Sequence, residues 1–182
     1  KASEDGPAPL LEFARLVHEA GFPPGVVNVL TGFGDDCGQA LTTHPLVARI
    51  AFTGGPGTAR HVVRNSAENL ASTSLELGGK SPVLVFDDAD LESVSNAVVA
   101  GIFAATGQSC VAGSRLLVQR SAHQPLLALL KHKAESIRIG DPQDMATEMG
   151  PLATRHQRDF IEQVVAQSVV EGATLITGGQ RA

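Results

Sequence analysis

The chain has 182 residues, of which 43% are hydrophobic and 18% are charged, a composition that excludes a disordered tail and is typical of one globular domain or two smaller ones. Its formal net charge is -5 and its 14 Lys and Arg residues are scattered, so the sequence offers no basic patch to nucleic acid or to an anionic membrane surface. The longest apolar run, 97–105, is far shorter than the roughly 20 residues of a membrane-spanning helix, and we therefore expect no membrane span.

Apolar residues near helical spacing predict a helix over 7–20, which the glycines and prolines of 21–25 end. The patterns that follow predict strands over 26–30, 47–52 and 72–77, and helices over 34–43 and 57–69. Strands that alternate with helices predict parallel pairing through crossover helices.

The glycine pair Gly78-Gly79 is the predicted domain boundary, which divides the chain into 1–77 and 78–182. Acidic residues that complement a helix N-terminus precede a Val- and Ala-rich helix that runs from 90 to about 105, and a loop carrying Cys110 follows it. The remaining patterns predict a strand at 82–86, a strand at 115–119, a helix at 124–136, a polar connection at 140–152, a helix at 154–171 and a strand at 173–177.

The number and spacing of the cysteines exclude some classes of protein. Cys37 and Cys110 form no C-x-x-C pair and have no His at metal-ligand spacing, so we expect neither a metal site nor a disulfide framework. This usage fits a reducing compartment, the cytoplasm, and the chain shows no signal-peptide pattern. Because the chain begins with Lys1 and ends just after a Gly-Gly turn, we expect it to be an internal piece of a longer protein.

Two glycine-rich turns are candidates for phosphate binding. Thr53-Gly54-Gly55-Pro56-Gly57 links a predicted strand to a predicted helix, where backbone N–H groups and the positive end of the helix can approach a phosphate. An ordinary turn is the alternative for these residues. Gly32-Phe33-Gly34 begins like the fingerprint G-x-G-x-x-G, but Cys37 occupies the third glycine position, so we interpret this segment as a plain turn.

Cys110 and Glu76 are the candidates for covalent chemistry. Glu76 lies between two leucines and beside a glycine pair, so we expect its carboxylate in a partly apolar pocket, where a base has a use. The small residues around Cys110 leave room for a substrate to reach its sulfur, and they are Gly107, Ser109, Ala112 and Gly113. An inert buried thiol and a half-buried carboxylate bonded to backbone N–H groups are the open alternatives.

Five segments together resemble the NAD(P)-dependent aldehyde dehydrogenase superfamily, in the order in which that family carries them. They are Lys1-Ala2-Ser3-Glu4, Gly21-Phe22-Pro23-Pro24-Gly25-Val26-Val27-Asn28, Phe52-Thr53-Gly54-Gly55, Leu75-Glu76-Leu77-Gly78-Gly79-Lys80-Ser81-Pro82 and Gly107-Gln108-Ser109-Cys110. The resemblance covers essentially the whole chain and implies an α/β fold. A parallel-sheet, Rossmann-like part of the NAD-binding domain would occupy 1–77, and the first part of the α/β catalytic domain would occupy 78–182.

The resemblance implies an enzyme that oxidises an aldehyde to a carboxylic acid with NAD. Cys110 matches the nucleophile that forms a thiohemiacetal and then a thioester, and its backbone N–H matches half of the oxyanion hole. Glu76, which precedes Cys110 by 34 residues, matches the base that activates water for thioester hydrolysis.

The resemblance also implies a cofactor site. Lys1 and Glu4 match positions that bind the adenosine ribose hydroxyls, and the negative charge of Glu4 favours NAD over NADP. Gly54 and Gly55 match the pyrophosphate turn, where Gly55 departs from the family's common serine. Gly78 matches a position packed near the nicotinamide.

The expected partner is a small-molecule aldehyde, with no nucleic acid and no membrane, and the family implies a homo-oligomeric parent, a dimer or tetramer. Several family parts are absent from these residues: the asparagine of the oxyanion hole, the first strands of the nucleotide fold, the Glu-x-Phe-Gly-Pro segment and the C-terminal oligomerisation strand. We therefore expect little or no dehydrogenase activity from the chain alone.

Two rival functions remain open at this point. A non-catalytic α/β piece would fold or self-associate through its sheet edges without turnover. A cysteine-dependent acyl-transfer or ester-hydrolysing protein would use Cys110 without a nucleotide. Protection of Cys110 from a thiol reagent by NAD would distinguish the dehydrogenase from both rivals.

Overall fold

A computed structural model describes residues 1–181 of the chain. Its α-helices are Ala8–Glu19 (α1), Gln39–Thr43 (α2), Pro56–Asn69 (α3), Leu91–Phe103 (α4), Arg120–Ser136 (α5) and Arg155–Val170 (α6), and short π-helical and 3₁₀ turns occupy Gly34–Gly38 and Ala104–Gly107. Its strands are Arg49–Gly54 (β1), Ser72–Leu77 (β2), Pro82–Val85 (β3) and Arg115–Val118 (β4). The chain forms two compact units, Lys1–Leu77 and a second one that begins at Gly78.

The first unit contains a strand–helix–strand element, β1–α3–β2. The two strands pair in parallel, from Arg49 opposite Ser72 to Gly54 opposite Leu77, as the alternating pattern predicted. The apolar cluster beneath them consists of Ile50, Val62 and Ala71, with Val47, Phe52 and Leu75 packed against it. The α/β fold with parallel strands is thus confirmed, and the carboxyl ends of β1 and β2 lie at the same edge of the sheet.

The start and end of α3 follow from local sequence. Gly55 is extended at the N-cap and Pro56 supplies a preset φ to the first turn. The helix ends at Leu70, which takes a left-handed φ of 56°. The Asn69 amide donates to the carbonyl oxygens of Thr42, at 3.2 Å, and His44, at 2.8 Å, and this ties the end of α3 to the end of α2.

The second unit repeats the same arrangement, because β3 pairs in parallel with β4 and α4 joins them. Asp90 caps α4 and accepts hydrogen bonds from the Ser93 hydroxyl at 2.6 Å and the Glu92 N–H at 3.3 Å. These bonds hold the pKa of the Asp90 carboxyl below its usual value, and the bond from Ser93 contributes most. Helix α4 packs on α5, where Leu126 is fully buried.

Two predicted strands are wrong. Residues Val26 and Leu30 lie in an irregular segment whose backbone bonds are not those of a ladder: Ala2 N donates to Leu30 O at 2.8 Å, and Val26 N donates to Pro23 O at 3.2 Å. Val26 is 61% exposed. Residues 173–177 are also irregular. Neither segment has a neighbouring strand within 1–181, and an apolar run becomes a strand only where a partner satisfies its backbone groups.

Helix α5 begins at Arg120, earlier than the predicted 124, and carries Pro125 inside it.

None of the helices described over 1–181 is long and apolar enough to cross a membrane.

Gly54 shows why a strand end here needs glycine. A Cβ built on Gly54 would lie 2.5 Å from Cζ of Phe52, whose ring packs against the apolar cluster of the first unit. A Cβ on Gly55 would meet nothing within 4 Å. The two adjacent glycines therefore differ in what a methyl group would displace.

We expect Gly54→Ala to destabilise the protein by about 1–3 kcal/mol, since the added methyl forces the Phe52 ring from its packing position. Gly55→Ala is the matched control and should change the free energy of unfolding by less than about 0.5 kcal/mol. Urea unfolding followed by circular dichroism measures both. Equal midpoints for the two variants would contradict the packing role of Gly54.

Candidate functional site

Four of the predicted cofactor residues line one cleft in the first unit. Lys1, Glu4, Gly54 and Gly55 border a cavity of about 780 Å³ that runs beside β1 and the start of α3. A cavity of this size suits a small ligand or part of a dinucleotide. Polar residues that the sequence did not single out share its lining: Thr42, Arg49, His61 and Asn65.

Lys1 and Glu4 form a charged pair at this cleft. The Lys1 ammonium donates to the carbonyl oxygens of Ala2 and Gly32, both at 2.7 Å, and reaches Glu4 Oε2 at 3.4 Å. The pKa of the Glu4 carboxyl lies below its usual value because its own backbone N–H and then Lys1 donate hydrogen bonds to it. Glu4 is therefore an anion at neutral pH, and its charge borders the cleft.

Residues 32–38 are a part of the cleft that the sequence interpretation missed, and Gly34–Gly38 form one π-helical turn at the start of the predicted helix 34–43. Gly34 and Gly38 line the cavity, and the Lys1 side chain lies 3.9 Å from the position of a Cβ on Gly38. The signal was present as the Gly32-Phe33-Gly34 pair, which we interpreted as a plain turn because the third glycine was missing. The spacing does not match a dinucleotide fingerprint, yet the turn supplies the carbonyl that holds Lys1.

The β1–β2 register places Glu76 opposite Thr53, and Leu77 opposite Gly54. Glu76 thus lies at the carboxyl edge of the sheet, next to Leu77, which pairs with Gly54 of the glycine turn. The expectation of a partly apolar pocket is wrong for Glu76, which is exposed. The physical reason is that side chains of a strand project from the faces of the sheet, and no described residue covers the face from which Glu76 projects.

Cys110 lies on a turn of the second unit that is anchored to α4 and β3. The Gly113 N–H donates to Gly101 O at 3.4 Å, and a Cβ on Gly113 would lie 2.6 Å from Val83 Cγ2, so the backbone runs directly against β3. Ala112 is buried, with 5% of its surface exposed, whereas Cys110 is exposed. The turn therefore rests on a buried anchor and presents the thiol outward.

The backbone N–H of Cys110 donates to no oxygen among the groups described in 1–181. The Gly79 backbone also approaches this residue, because a Cβ on Gly79 would lie 3.7 Å from Cys110 O.

Gly78 is exposed and does not line the cleft of the first unit. Within the described part of the chain, no cluster of three His, Cys, Asp or Glu residues could hold a metal ion.

A sequence model of the aldehyde dehydrogenase family matches residues 1–182. The chain is 65% identical to the (Z)-2-((N-methylformamido)methylene)-5-hydroxybutyrolactone dehydrogenase of Acinetobacter baylyi over 180 residues, which is 99% of this chain and 37% of that protein. It is 45% identical to the hydroxyisobutyraldehyde dehydrogenase of Mycolicibacterium austroafricanum over 181 residues, 36% of that protein. The chain thus spans little more than a third of these relatives.

Solved structures show the same similarity. PnpE in complex with nicotinamide adenine dinucleotide is 42% identical, with a TM-score of 0.94 over 96% of this chain and 36% of that one. A double mutant of betaine aldehyde dehydrogenase from Staphylococcus aureus in complex with NAD+ is 38% identical, with a TM-score of 0.96 over 99% of this chain and 36% of that one.

The two thiols should react at different rates. Cys110 is exposed, whereas Cys37 is half-buried, with its Sγ 3.6 Å from the position of a Cβ on Gly32. We expect iodoacetamide to alkylate Cys110 about tenfold faster than Cys37, because access controls the encounter. Mass spectrometry of the native protein measures both rates, and Cys110→Ser, which should remove only the fast reaction, is the control. Faster labelling of Cys37 would contradict the geometry of the Cys110 turn.

Proposed function

The chain belongs to the aldehyde dehydrogenase family, and on that premise we propose that the full-length protein oxidises an aldehyde to a carboxylic acid with NAD, using Cys110 as the nucleophile. The observation that supports this most directly is the exposed Cys110 thiol beside its own unpartnered N–H. A nucleophile and a hydrogen-bond donor on one residue suit attack on a carbonyl carbon.

In the proposed reaction, the Cys110 thiolate bonds to the aldehyde carbon, and the Cys110 N–H donates to the oxyanion that forms. NAD, when bound, accepts the hydride from this carbon, and the carbonyl re-forms as a thioester. Glu76 then takes a proton from a water molecule, whose oxygen bonds to the thioester carbon. The carbon–sulfur bond breaks, which releases the carboxylic acid and restores the thiolate, and Glu76 then loses its proton to solvent.

The residues of the first unit fit a dinucleotide. The N-terminus of α3 has no side-chain cap, so its first N–H groups are free to bind a phosphate at the Gly54-Gly55 turn. Glu4 can accept from ribose hydroxyls, while the bonds to Ala2 and Gly32 hold Lys1 beside it. The Glu4 anion would repel a ribose phosphate, which supports NAD rather than NADP. We place Gly78 near the nicotinamide on the family resemblance alone.

The substrate class follows from chemistry and the relative named above. A 5-hydroxylactone is the closed form of an aldehyde that carries a carboxylic acid, and its opening exposes a carbonyl that a thiolate can attack. We therefore propose aldehyde acids of this kind as the first substrates to assay.

We further propose that the protein is a cytoplasmic homo-oligomer, a dimer or tetramer, and that the 182 residues alone are inactive. The chain exposes 12999 Å². Two separate compact domains of half its mass would together expose roughly 10,000 Å². Large apolar side chains such as Leu11, Phe13 and Leu16 are at least half exposed, which supports further chain or a subunit over them. These surfaces also favour the rival interpretation, a non-catalytic piece, for the isolated chain.

The role of Glu76 is testable in the full-length protein. We expect Glu76→Gln to retain the first burst of NADH and to lose steady-state turnover by about a hundredfold or more, since the amide cannot take a proton from water. Stopped-flow absorbance with an aldehyde acid measures both phases.

Glu68→Gln, which changes an exposed carboxylate on α3, is the matched control and should behave as wild type. Normal steady-state turnover of Glu76→Gln would exclude Glu76 as the base. Rapid aldehyde oxidation by the isolated 182 residues would exclude the requirement for more chain.

The preference for NAD over NADP tests the proposed role of the negative charge of Glu4. We expect Glu4→Gln to raise the kcat/KM ratio of NADP over NAD roughly tenfold, because it removes a like-charge repulsion. The pKa of Glu4 is lowered, so the wild-type preference should be constant through neutral pH and fall only as acid protonates Glu4. Glu12→Gln removes an exposed carboxylate that pairs with Arg15 outside the cleft and is the control. An unchanged ratio in Glu4→Gln would contradict this role.

A further inference from the structure

The turn that precedes Cys110 contains an unusual run of left-handed backbone. Ala105, Thr106 and Gly107 have φ angles of 50°, 58° and 71°. Glycine adopts this conformation freely, but the Cβ of the other two residues disfavours it. Left-handed residues persist where surrounding contacts hold them, so the contacts of this turn decide where Cys110 lies.

The Gln108 side chain supplies such contacts with both ends of one amide. Its Oε1 accepts from the Ala153 N–H at 3.1 Å, and its Nε2 donates to Ala105 O at 3.3 Å. The backbone N–H of Gln108 donates to the same Ala105 oxygen at 3.0 Å. One side chain thus closes the left-handed turn on itself and joins it to a segment 45 residues further along the chain.

A second, weaker contact runs in the same direction. The Thr106 hydroxyl lies 3.4 Å from Gly150 O and 3.5 Å from Pro151 O. The segment that receives these contacts leads directly into α6, where the Thr154 hydroxyl accepts from the Gln157 N–H at 3.1 Å. The turn is therefore bonded to the capped start of a helix rather than to a free loop.

We propose that Gln108, with Thr106 as an auxiliary, is a positioning residue for Cys110. Neither side chain touches the reacting atoms. Gln108 holds the left-handed turn in place, and this turn sets the direction of the thiol and the N–H of Cys110. The inference rests on the proposed function of Cys110 as the nucleophile, and it concerns the rate of attack rather than cofactor binding.

Gln119 provides a matched control in the same unit. Its amide also makes two hydrogen bonds, although here both are long-range, since Nε2 donates to Asp87 Oδ2 at 2.6 Å and Oε1 accepts from the Asp87 N–H at 3.1 Å. It follows β4, whereas the Cys110 turn precedes β4. Replacing either glutamine by methionine removes one donated and one accepted bond at nearly constant side-chain volume.

The experiment compares Gln108→Met, Gln119→Met and Thr106→Val in the full-length protein. Each is assayed for the rate of the NADH burst, which reports attack and hydride transfer, for the KM of NAD, and for its melting temperature. We expect Gln108→Met to slow the burst about 10- to 100-fold with an unchanged KM for NAD, because a small displacement of a reacting group costs rates of this order. Thr106→Val should slow it less, and Gln119→Met should leave it within about twofold.

The outcomes separate this inference from the proposed function. A wild-type burst that Cys110→Ala abolishes, but that Gln108→Met leaves unchanged, would overturn the positioning role alone. Absence of a Cys110-dependent burst in the wild type would overturn the proposed function and this inference with it. Equal slowing in Gln108→Met and Gln119→Met would reduce the effect to general destabilisation and also overturn the inference. If Gln108→Met does not fold, a burst in Thr106→Val that matches the wild type contradicts the proposal.

Discussion

The parallel pairing of β1 with β2 is the constraint on which the geometry of the first unit depends. Parallel strands end at the same edge of a sheet, so the chain must return through α3 before the second strand can form. This return places the N-terminus of α3 directly after β1. The same register sets Glu76 opposite Thr53. A candidate phosphate turn and a candidate base therefore arise at one edge from a single backbone pattern.

The second unit has the same strand–helix–strand topology, but its candidate residue does not follow a strand. Its strands β3 and β4 pair in parallel, and the chain that joins them carries Cys110 after α4 rather than after a strand. Close backbone approaches fix this turn, since Gly113 leaves no room for a side chain beside Val83. The exposed thiol is consequently attached to backbone that packing and hydrogen bonds hold, as a nucleophile requires.

Much of the fold was predictable because hydrophobic period and glycine position report local structure directly. The helices and the paired strands follow from those patterns, and β2 occupies the predicted 72–77. The segments at 26–30 and 173–177 were not predictable in the same way, because strand formation depends on a partner that the local residues do not encode. The exposure of Glu76 also depends on what lies beside β2, and its two leucine neighbours carried no information about that.

For the candidate site, short motifs identified residue types, and tertiary contacts explained their setting. The family resemblance implies that Lys1 is a ribose ligand, and the structure adds that its ammonium is bonded to Ala2, Gly32 and Glu4. The contribution of Gly34 and Gly38 to the cleft could not be predicted, because their segment matches no known sequence fingerprint. Gln108 lies two residues before Cys110, the proposed nucleophile, but its contact with Ala153 could not be read from the sequence.

Both sheets in the described residues are two-stranded, so each has two edges whose backbone groups are not paired in a ladder. Such edges accept further strands, and this acceptance does not depend on covalent continuity with the strand that arrives. Either sheet could therefore pair with a strand supplied on a separate polypeptide, such as a synthetic peptide, through backbone hydrogen bonds alone.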